Sequence, residues 1–92
     1  MDMYEIIFSE KAIKDILRLR KSEPTAYKKV NCLIEELKLH PTSGTGHPEK
    51  LKGNRVGQWS RMINKKHRLI YEIFDQEVHI DILSAYGHYD DK

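Results

Sequence analysis

The first feature of the chain is the distribution of its apolar side chains, many of them aromatic or β-branched, over four stretches that suit a pleated strand. These stretches cover residues 3–8, 59–63, 67–74 and 77–86, and a period of two is typical of a strand that is half buried in a sheet. Only the polar tripeptide Asn64-Lys65-Lys66 separates the second stretch from the third, which is the length of a hairpin connection. We therefore expect a β-hairpin at the middle of a sheet.

Residues 9–39 follow a helical period instead. Ser9 is a good N-cap for a first helix from Glu10 to about Lys21, and Pro24 starts a second helix that reaches Leu39. Because the link between them is very short, the two helices must form an antiparallel hairpin. The predicted buried positions are Ile13, Ile16, Leu17 and the stem of Arg20 in the first helix, and Tyr27, Val30, Ile34 and Leu37 in the second.

The order of strand, helix, helix and further strands predicts an α+β domain over residues 1–92. The helix hairpin is expected on one face of an antiparallel, twisted sheet, with the other face open. Leu51 is expected to attach the loop of residues 42–56 as a short strand, so three or four strands follow the helices. On the strand of residues 67–74, alternation assigns Leu69, Tyr71 and Ile73 to the core and Arg68, Ile70 and Glu72 to the open face.

The chain has a single cysteine, Cys32, which limits the cross-links and metal sites that it can form. Neither an intramolecular disulfide nor a zinc cluster of thiolates can form, which fits a reducing compartment. No apolar run approaches the roughly 20 residues of a membrane span. The segment Met1-Asp2-Met3-Tyr4 lacks the basic and apolar regions of a signal peptide. We therefore expect a cytoplasmic protein that does not bind a membrane.

Positive charge is concentrated in one part of the chain. Residues 50–68 contain seven Lys or Arg residues and no Asp or Glu, whereas the rest of the chain has nine basic and fourteen acidic residues. The formal net charge is only +2, so the cations are gathered on the central hairpin and on the loop before it. Such segregation predicts a partner that carries phosphate groups.

Cleavage of a phosphodiester without a metal needs a base for the ribose 2′-hydroxyl, a cation facing phosphorus and an acid for the departing 5′-oxygen. The candidates are Glu49 in the loop, Arg68 on the open face and His88 after the last strand. Each also has an ordinary interpretation, as a solvated carboxylate, a surface cation and a polar residue near the chain end. No metal site is expected, because His40 and His47 lack a carboxylate partner at ligand spacing. The single histidines on strands, which are interpreted as structural, are His67 and His79.

Four segments follow one another along the chain: G-H-P-E-K-L-K at residues 46–52, G-Q-W-S-R-M-I at 57–63, H-R-L-I-Y at 67–71 and H-Y at 88–89. In this order and with these spacings they resemble the YoeB (Txe) toxins of the RelE/ParE superfamily of toxin–antitoxin modules. The family pattern is G-x-P-E-x-L, W-S-R-R-I, H-R-L-V-Y and a terminal H-Y. Each motif alone is weak, but four in register are specific, and the RelE-like fold that they imply agrees with the periodicity.

The resemblance implies a ribosome-dependent endoribonuclease that cuts mRNA in the ribosomal A site without a metal or another cofactor. By this resemblance Glu49 is the general base, His88 is the general acid and Arg68 stabilises the transition state. Tyr89 matches a terminal tyrosine that helps to position the substrate. The basic residues expected to contact RNA are Lys52 and Arg61, which match cleft residues of the family, and Lys50, Lys65 and Lys66.

Two features depart from the family pattern. Met62 replaces the second arginine of W-S-R-R-I, which removes one cation from the expected cleft. Asp90-Asp91-Lys92 extends past the usual terminal His-Tyr, and its carboxylates would favour the protonated form of His88 or repel RNA.

The resemblance also implies the partners of the chain, which are mRNA, the ribosome and an antitoxin of the YefM or Phd type. The antitoxin is expected to be partly disordered before it binds, and operator DNA would be reached only through the antitoxin complex. Two other functions stay open on the sequence alone. One is a non-catalytic inhibitor of DNA gyrase of the ParE kind, which would not need Glu49, Arg68 and His88 together. The other is a protein that only binds its antitoxin and takes part in operator repression.

Overall fold

The computed structural model describes residues 3–87. The helices are α1 (Glu10–Ser22) and α2 (Pro24–Leu37), and a 3₁₀ turn covers Gly53–Arg55. The strands are β1 (Glu5–Phe8), β2 (Glu49–Lys50), β3 (Gln58–Met62), β4 (Arg68–Phe74) and β5 (His79–Ser84). This order confirms the α+β architecture, and β2 is the short strand that was expected within the loop.

The predicted cap of α1 is confirmed, and it has a second use. The Ser9 hydroxyl oxygen accepts a hydrogen bond from the Ala12 backbone N–H at 3.0 Å. The same hydroxyl donates to the Leu83 carbonyl at 3.0 Å, so the start of α1 is fixed to β5. Among residues 3–87, no helix is long and apolar enough to cross a membrane.

A single residue, Glu23, separates the two helices, and Pro24 begins α2 as predicted. The end of α2 is two residues earlier than the predicted Leu39. The backbone N–H groups of Leu39 and His40 both turn back to the Glu36 carbonyl, and this tight turn ends the regular helix at Leu37.

The five strands form one sheet in the order β1-β5-β4-β3-β2. Neighbouring strands are antiparallel except β1 and β5, which pair in parallel from Glu5↔His79 to Phe8↔Ile82. The expectation of a wholly antiparallel sheet is therefore wrong for this one pair. Tight turns determine the direction of β4 and β5, whereas the chain between β1 and β5 includes both helices and the other strands, and so long a connection permits a parallel pair.

The central hairpin is confirmed, and its turn is shaped by a side chain. The Asn64 side-chain oxygen accepts hydrogen bonds from the backbone N–H groups of Lys66 and His67, at 2.8 and 2.9 Å. This is the local pattern that makes asparagine common in turns. Across the hairpin, Trp59 pairs with Tyr71 and Met62 pairs with Arg68.

The buried face of α1 differs from the predicted stripe. Ile13 and Leu17 are 48% and 53% exposed, whereas Ala12, Asp15 and Leu19 are buried and Ile16 is half-buried. Asp15 faces inward, and its carboxylate accepts the Ala85 backbone N–H at 2.9 Å. The buried face of α1 is thus rotated by about one position from the predicted stripe. In α2 the predicted stripe is confirmed, with Tyr27 partly buried and Val30, Ile34 and Leu37 buried.

The sheet face opposite the helices is partly covered. Ile70 is only 1% exposed although its strand position was assigned to the open face. Leu51 is also buried, and it lies two residues after Glu49, which pairs with Ser60 on this same face. The segment before β3 therefore packs against the sheet face opposite the helices through Leu51. The same segment contains Glu49.

Candidate functional site

Strands β2, β3 and β4 bring Glu49 and Arg68 onto one face of the sheet, opposite the helices. Glu49 pairs with Ser60, Ser60 pairs with Ile70, and Ile70 lies two residues along β4 from Arg68. Strand spacing and rise place the two Cα atoms about 12 Å apart. A carboxylate and an arginine that extend toward each other over this separation leave room for a phosphodiester between them.

Arg68 is half-buried and held at two points. Its guanidinium Nη1 donates to the Asn64 carbonyl at 3.2 Å, and its backbone N–H donates to the Gly87 carbonyl at 2.9 Å. A guanidinium has five N–H donors, so the bond to Asn64 is compatible with a bidentate contact to phosphate. The side chain is therefore oriented in advance for an anion on this face.

Arg61 lies on the other side of the sheet, and the prediction that it lines an RNA cleft is wrong. Its side chain is fully buried and faces the helices, because its position alternates with those of Ser60 and Met62 in β3. The guanidinium forms an ion pair with Glu36. Its remaining partners are Tyr71 Oη and the backbone carbonyls of His40, Ser43 and Thr45.

The arrangement around Arg61 organises the loop after α2. Glu36 also accepts the Thr45 backbone N–H at 2.6 Å and the Thr45 hydroxyl at 2.9 Å. These bonds lower the pKa of the Glu36 carboxyl, with the Thr45 backbone N–H as the largest cause. A Cβ atom at Gly44 would lie 2.2 Å from Glu36 Oε1, and the φ of Gly44 is +117°. Glycine is therefore required where the loop meets the carboxylate.

The four predicted RNA-binding lysines are exposed, but they do not lie together. Lys50 pairs with Trp59 in the edge strand β2, so its strand position belongs to the helix side of the sheet. Lys52 follows β2 at the start of the 3₁₀ turn. Lys65 and Lys66 belong to the hairpin turn before Arg68, and Lys66 Nζ lies 3.7 Å from Glu23 Oε1. Their contact with RNA stays a prediction.

Arg55 is a candidate that the sequence reasoning did not select. It is half-buried in the 3₁₀ turn, and its Nη1 donates to Gln58 Oε1 at 2.8 Å. Gln58 shares its face of β3 with Ser60 and therefore with Glu49. The concentration of positive charge in residues 50–68 includes Arg55, but only the folded loop shows that it returns to this face.

Met62, which departs from the family motif, lies beside Arg68 in the sheet. It pairs directly with Arg68 across β3 and β4, so the second arginine position of the family motif W-S-R-R-I lies on the candidate face. The first arginine position of the motif is the buried Arg61. The departure from the motif therefore changes the immediate neighbour of Arg68.

A buried histidine connects the site to the end of the described chain. His67 Nε2 lies 2.9 Å from Glu23 Oε2, and Nδ1 lies 2.9 Å from the backbone N of Gly87. The hydrogen bond from His67 is the largest cause that lowers the pKa of Glu23. This arrangement agrees with the interpretation of His67 as structural. It also connects the loop between the helices to the residue before His88.

The predicted acid His88 and the predicted positioning residue Tyr89 lie outside the described residues, as does the extension Asp90-Asp91-Lys92. Their roles stay predictions. The described chain reaches Gly87, whose carbonyl accepts from the Arg68 backbone N–H. Within residues 3–87, no group of three or more His, Cys, Asp or Glu side chains could hold a metal ion.

Comparison with known proteins decides the family. The model of a family described as "YoeB-like toxin of bacterial type II toxin-antitoxin system" matches residues 8–89. The chain belongs to this family. The resemblance inferred from the four segments is thus confirmed, and it covers nearly the whole described chain.

Individual relatives of this YoeB-like toxin agree. Toxin YoeB of Synechocystis is 39% identical over 85 residues, which are 92% of this chain and 96% of the relative. A YoeB/ParE toxin from Agrobacterium tumefaciens superposes with a TM-score of 0.87 at 28% identity, over 92% of this chain and 99% of that one. The toxin chain in a heterotetrameric YoeB-YefM toxin–antitoxin complex from Staphylococcus aureus gives a TM-score of 0.80 at 38% identity, over 94% and 98%.

Proposed function

We propose that this YoeB-like toxin is an endoribonuclease that cuts mRNA in the ribosomal A site without a metal and thereby stops translation. The observation that carries the proposal is the shared position of Glu49 and Arg68 on one face of the sheet, with Gly87 hydrogen-bonded to Arg68. Glu49 can act as a base, and Arg68 can act as a cation that faces a phosphoryl group. Gly87 is followed in sequence by His88, the proposed acid.

The reaction is an internal transfer of the phosphoryl group. Glu49 takes the proton of the ribose 2′-hydroxyl, and the 2′-oxygen forms a bond to phosphorus while the bond from phosphorus to the 5′-oxygen breaks. Arg68 stabilises the charge that grows on the phosphoryl oxygens, and His88 donates a proton to the departing 5′-oxygen. Tyr89 helps to position the RNA. The products are a 2′,3′-cyclic phosphate and a 5′-hydroxyl.

Surface cations support an RNA partner. Because Arg61 is buried, six of the seven Lys and Arg residues in positions 50–68 stay at or near the surface. Arg55 is added to the four lysines as an RNA-binding candidate, because it reaches the face of Glu49 and Arg68 through Gln58. Contacts of this kind position the backbone of RNA without reading its sequence, and salt weakens them.

A protein partner is the second part of the proposal. We infer that the toxin binds a cognate antitoxin of the YefM or Phd type, partly disordered when free, and reaches operator DNA only in that complex. The heterotetrameric complex of the Staphylococcus aureus relative supports a partner of this kind. The exposed side chains of Ile13 and Leu17 on α1 offer apolar area that such a partner can cover. The proposed place of action is the cytoplasm, where the ribosomes are.

The decisive experiment is induced expression of the chain alone, followed by mapping of mRNA 5′ ends. Growth should stop, new 5′ ends should fall within translated codons, and co-expression of the adjacent antitoxin gene should restore growth. In vitro, the upstream fragments should end in a 2′,3′-cyclic phosphate or a 3′-phosphate. Fragments with 3′-hydroxyls, or cleavage that EDTA stops while ribosomes stay intact, would rule out this mechanism.

The same experiment separates the alternatives. Growth arrest with intact mRNA and inhibited supercoiling by gyrase would indicate a ParE-like inhibitor. Normal growth under strong induction, together with operator binding in the presence of the antitoxin, would indicate a co-repressor without toxic activity.

A further inference from the structure

We propose that His67 is a positioning residue for RNA cleavage, because its buried ring holds the Gly87 peptide at the point where His88 joins the described chain. The inference rests on the proposed function, since the position of Gly87 affects a reaction rate only if the residue after it takes part in the reaction. The evidence is a row of hydrogen bonds that runs through the ring from Glu23 to Gly87.

The two hydrogen bonds determine which ring nitrogen carries the proton. The Gly87 backbone N–H can only donate, so His67 Nδ1 must accept. The ring proton is therefore on Nε2, which donates to the Glu23 carboxylate at 2.9 Å. Glu23 thus selects the tautomer whose lone pair faces Gly87. Loss of this carboxylate would leave the ring free to adopt the other tautomer, which has no acceptor for Gly87.

Gly87 is held from a second side by the residue that follows His67. The Arg68 backbone N–H donates to the Gly87 carbonyl at 2.9 Å. The φ angle of Gly87 is +76°, in the left-handed region that glycine adopts at little cost. Gly87 therefore meets the ring of His67 through its N–H and the backbone of Arg68 through its carbonyl. The start of β4 carries the proposed transition-state cation and also fixes the residue before the proposed acid.

The residues before Gly87 are attached by other contacts. The Ala85 backbone N–H donates to Asp15 Oδ2 at 2.9 Å, which joins the segment to α1. The ring of Tyr86 lies 4.3 Å from the ring of His67, and the guanidinium carbon of Arg18 lies 3.9 Å from the Tyr86 ring. The bond to Asp15 does not use His67 Nδ1. Loss of the Nδ1 acceptor alone should therefore displace Gly87 without releasing the whole segment from α1.

Two substitutions separate the two ends of the ring. His67→Asn keeps a side-chain oxygen near the position of Nδ1 and loses the donor to Glu23. His67→Gln keeps an amide nitrogen near the position of Nε2 and loses the acceptor for Gly87. Both variants lose ring packing against Tyr86, so a purely structural role predicts similar effects in the two.

The measurement is single-turnover cleavage of a short mRNA on purified 70S ribosomes, with the thermal unfolding of each variant measured in parallel. We expect the maximal rate of His67→Gln to fall by about 10-fold or more, because a displaced acid loses its alignment. The concentration for half-maximal rate should change less than about twofold. His67→Asn should stay within about threefold of the wild-type rate. Equal losses in both variants, or a wild-type rate in His67→Gln, would overturn the proposal.

A second pair of variants acts at the more exposed end of the row and keeps the proposal testable if both His67 variants fail to fold. Glu23→Gln keeps an oxygen acceptor for Nε2, whereas Glu23→Ala does not. Glu23→Ala should lose hydrogen-exchange protection of the Gly87 amide and cleave more slowly, and Glu23→Gln should retain both. Unchanged Gly87 protection and rate in Glu23→Ala would contradict the proposal. If the wild-type toxin cuts no mRNA, the proposed function fails, while the Gly87 exchange still reports on the hydrogen bond itself.

Discussion

Arg61 and Glu36 form an ion pair that joins β3 to α2 on the side of the sheet away from the candidate site. The guanidinium is fully buried, and the Glu36 carboxylate accepts from it as well as from Thr45. The pair closes the turn that leads from α2 toward β2. An arginine that the family motif suggests as an RNA contact is thus, in this chain, an internal support of the loop that carries Glu49.

Replacement of Arg61 should destabilise the fold rather than weaken RNA contact. Arg61→Ala removes one donor each from Glu36, Tyr71 and three carbonyls, and the loss of one partner of a largely buried ion pair costs about 3–5 kcal/mol. Chemical denaturation would measure the free energy of unfolding. The control is Lys52→Ala, an exposed substitution that should stay within about 0.5 kcal/mol of the wild type. An Arg61→Ala protein of normal stability that binds ribosomes weakly would contradict this assignment.

Acid should weaken the contribution of Glu36 to the stability of the folded chain. The pKa of its carboxyl lies below the ordinary value of 4.5 in the folded chain, first because of the Thr45 backbone N–H and also because of the Thr45 hydroxyl and Arg61. A carboxyl with a lowered folded-state pKa stabilises the fold above its unfolded-state pKa, and this stability is lost as pH falls through the folded-state pKa.

Glu36→Gln should therefore be less stable than the wild type at pH 7, and the difference should shrink as the pH falls below 4.5. Unfolding curves recorded across the acid range would measure it. Glu23→Gln should show a difference of the same sign, because the pKa of Glu23 is also lowered, first by its hydrogen bond with His67. A stability difference that is the same at pH 7 and pH 3 would contradict this account.

Arg68 should matter more to the rate of cleavage than to binding. In the proposed mechanism it stabilises charge that accumulates in the transition state, so Arg68→Ala should slow the chemical step by about 100-fold or more. Lys52→Ala should mainly weaken ribosome or RNA binding. Arg68→Lys should restore little, because one ammonium cannot reproduce the guanidinium fork. Single-turnover cleavage at saturating ribosome concentration measures the chemical step without the contribution of binding. A normal rate for Arg68→Ala would remove Arg68 from the mechanism.

The neighbour of Arg68 offers a test by gain of charge. Met62 pairs with Arg68 on the candidate face, so Met62→Arg should add one phosphate contact and steepen the salt dependence of binding by about one unit of logarithmic slope. The control is Met62→Gln, which is polar but uncharged. Equal salt slopes for the two variants would show that position 62 does not face RNA in the complex.

The roles of Glu49 and His88 can be separated by the leaving group. A thiolate departs readily without a proton, so a substrate with sulfur at the scissile 5′ position should not need an acid. His88→Ala should be slower by roughly 100-fold on normal RNA and near the wild type on the sulfur substrate. Glu49→Ala should be slow on both. Rescue of Glu49→Ala but not of His88→Ala would reverse the two assignments, and rescue of neither would make another group the acid.

Local patterns in the sequence were sufficient for the elements and for the family. The aromatic and β-branched residues on both sides of Asn64-Lys65-Lys66 predict the hairpin of β3 and β4, since strand propensity and a short polar turn are properties of neighbouring positions. Ser9 and Pro24 mark the helix starts for the same reason, because a cap involves only the next few residues. The Glu49 and Arg68 candidates also came from the sequence, and their common face follows from strand pairing.

Long-range contacts decided the rest. Asp15 faces inward, where its carboxylate accepts the Ala85 N–H, 70 residues later, and the helical period of α1 alone does not reveal this contact. The seven cations of residues 50–68 are equivalent in sequence, yet Arg61 is internal and Arg55 returns to the candidate face. Strand alternation turns Arg61 toward the helices, and the fold of the loop brings Arg55 to the opposite face. Composition therefore predicted a phosphate-bearing partner, whereas only the assembled sheet decided which cations can meet it.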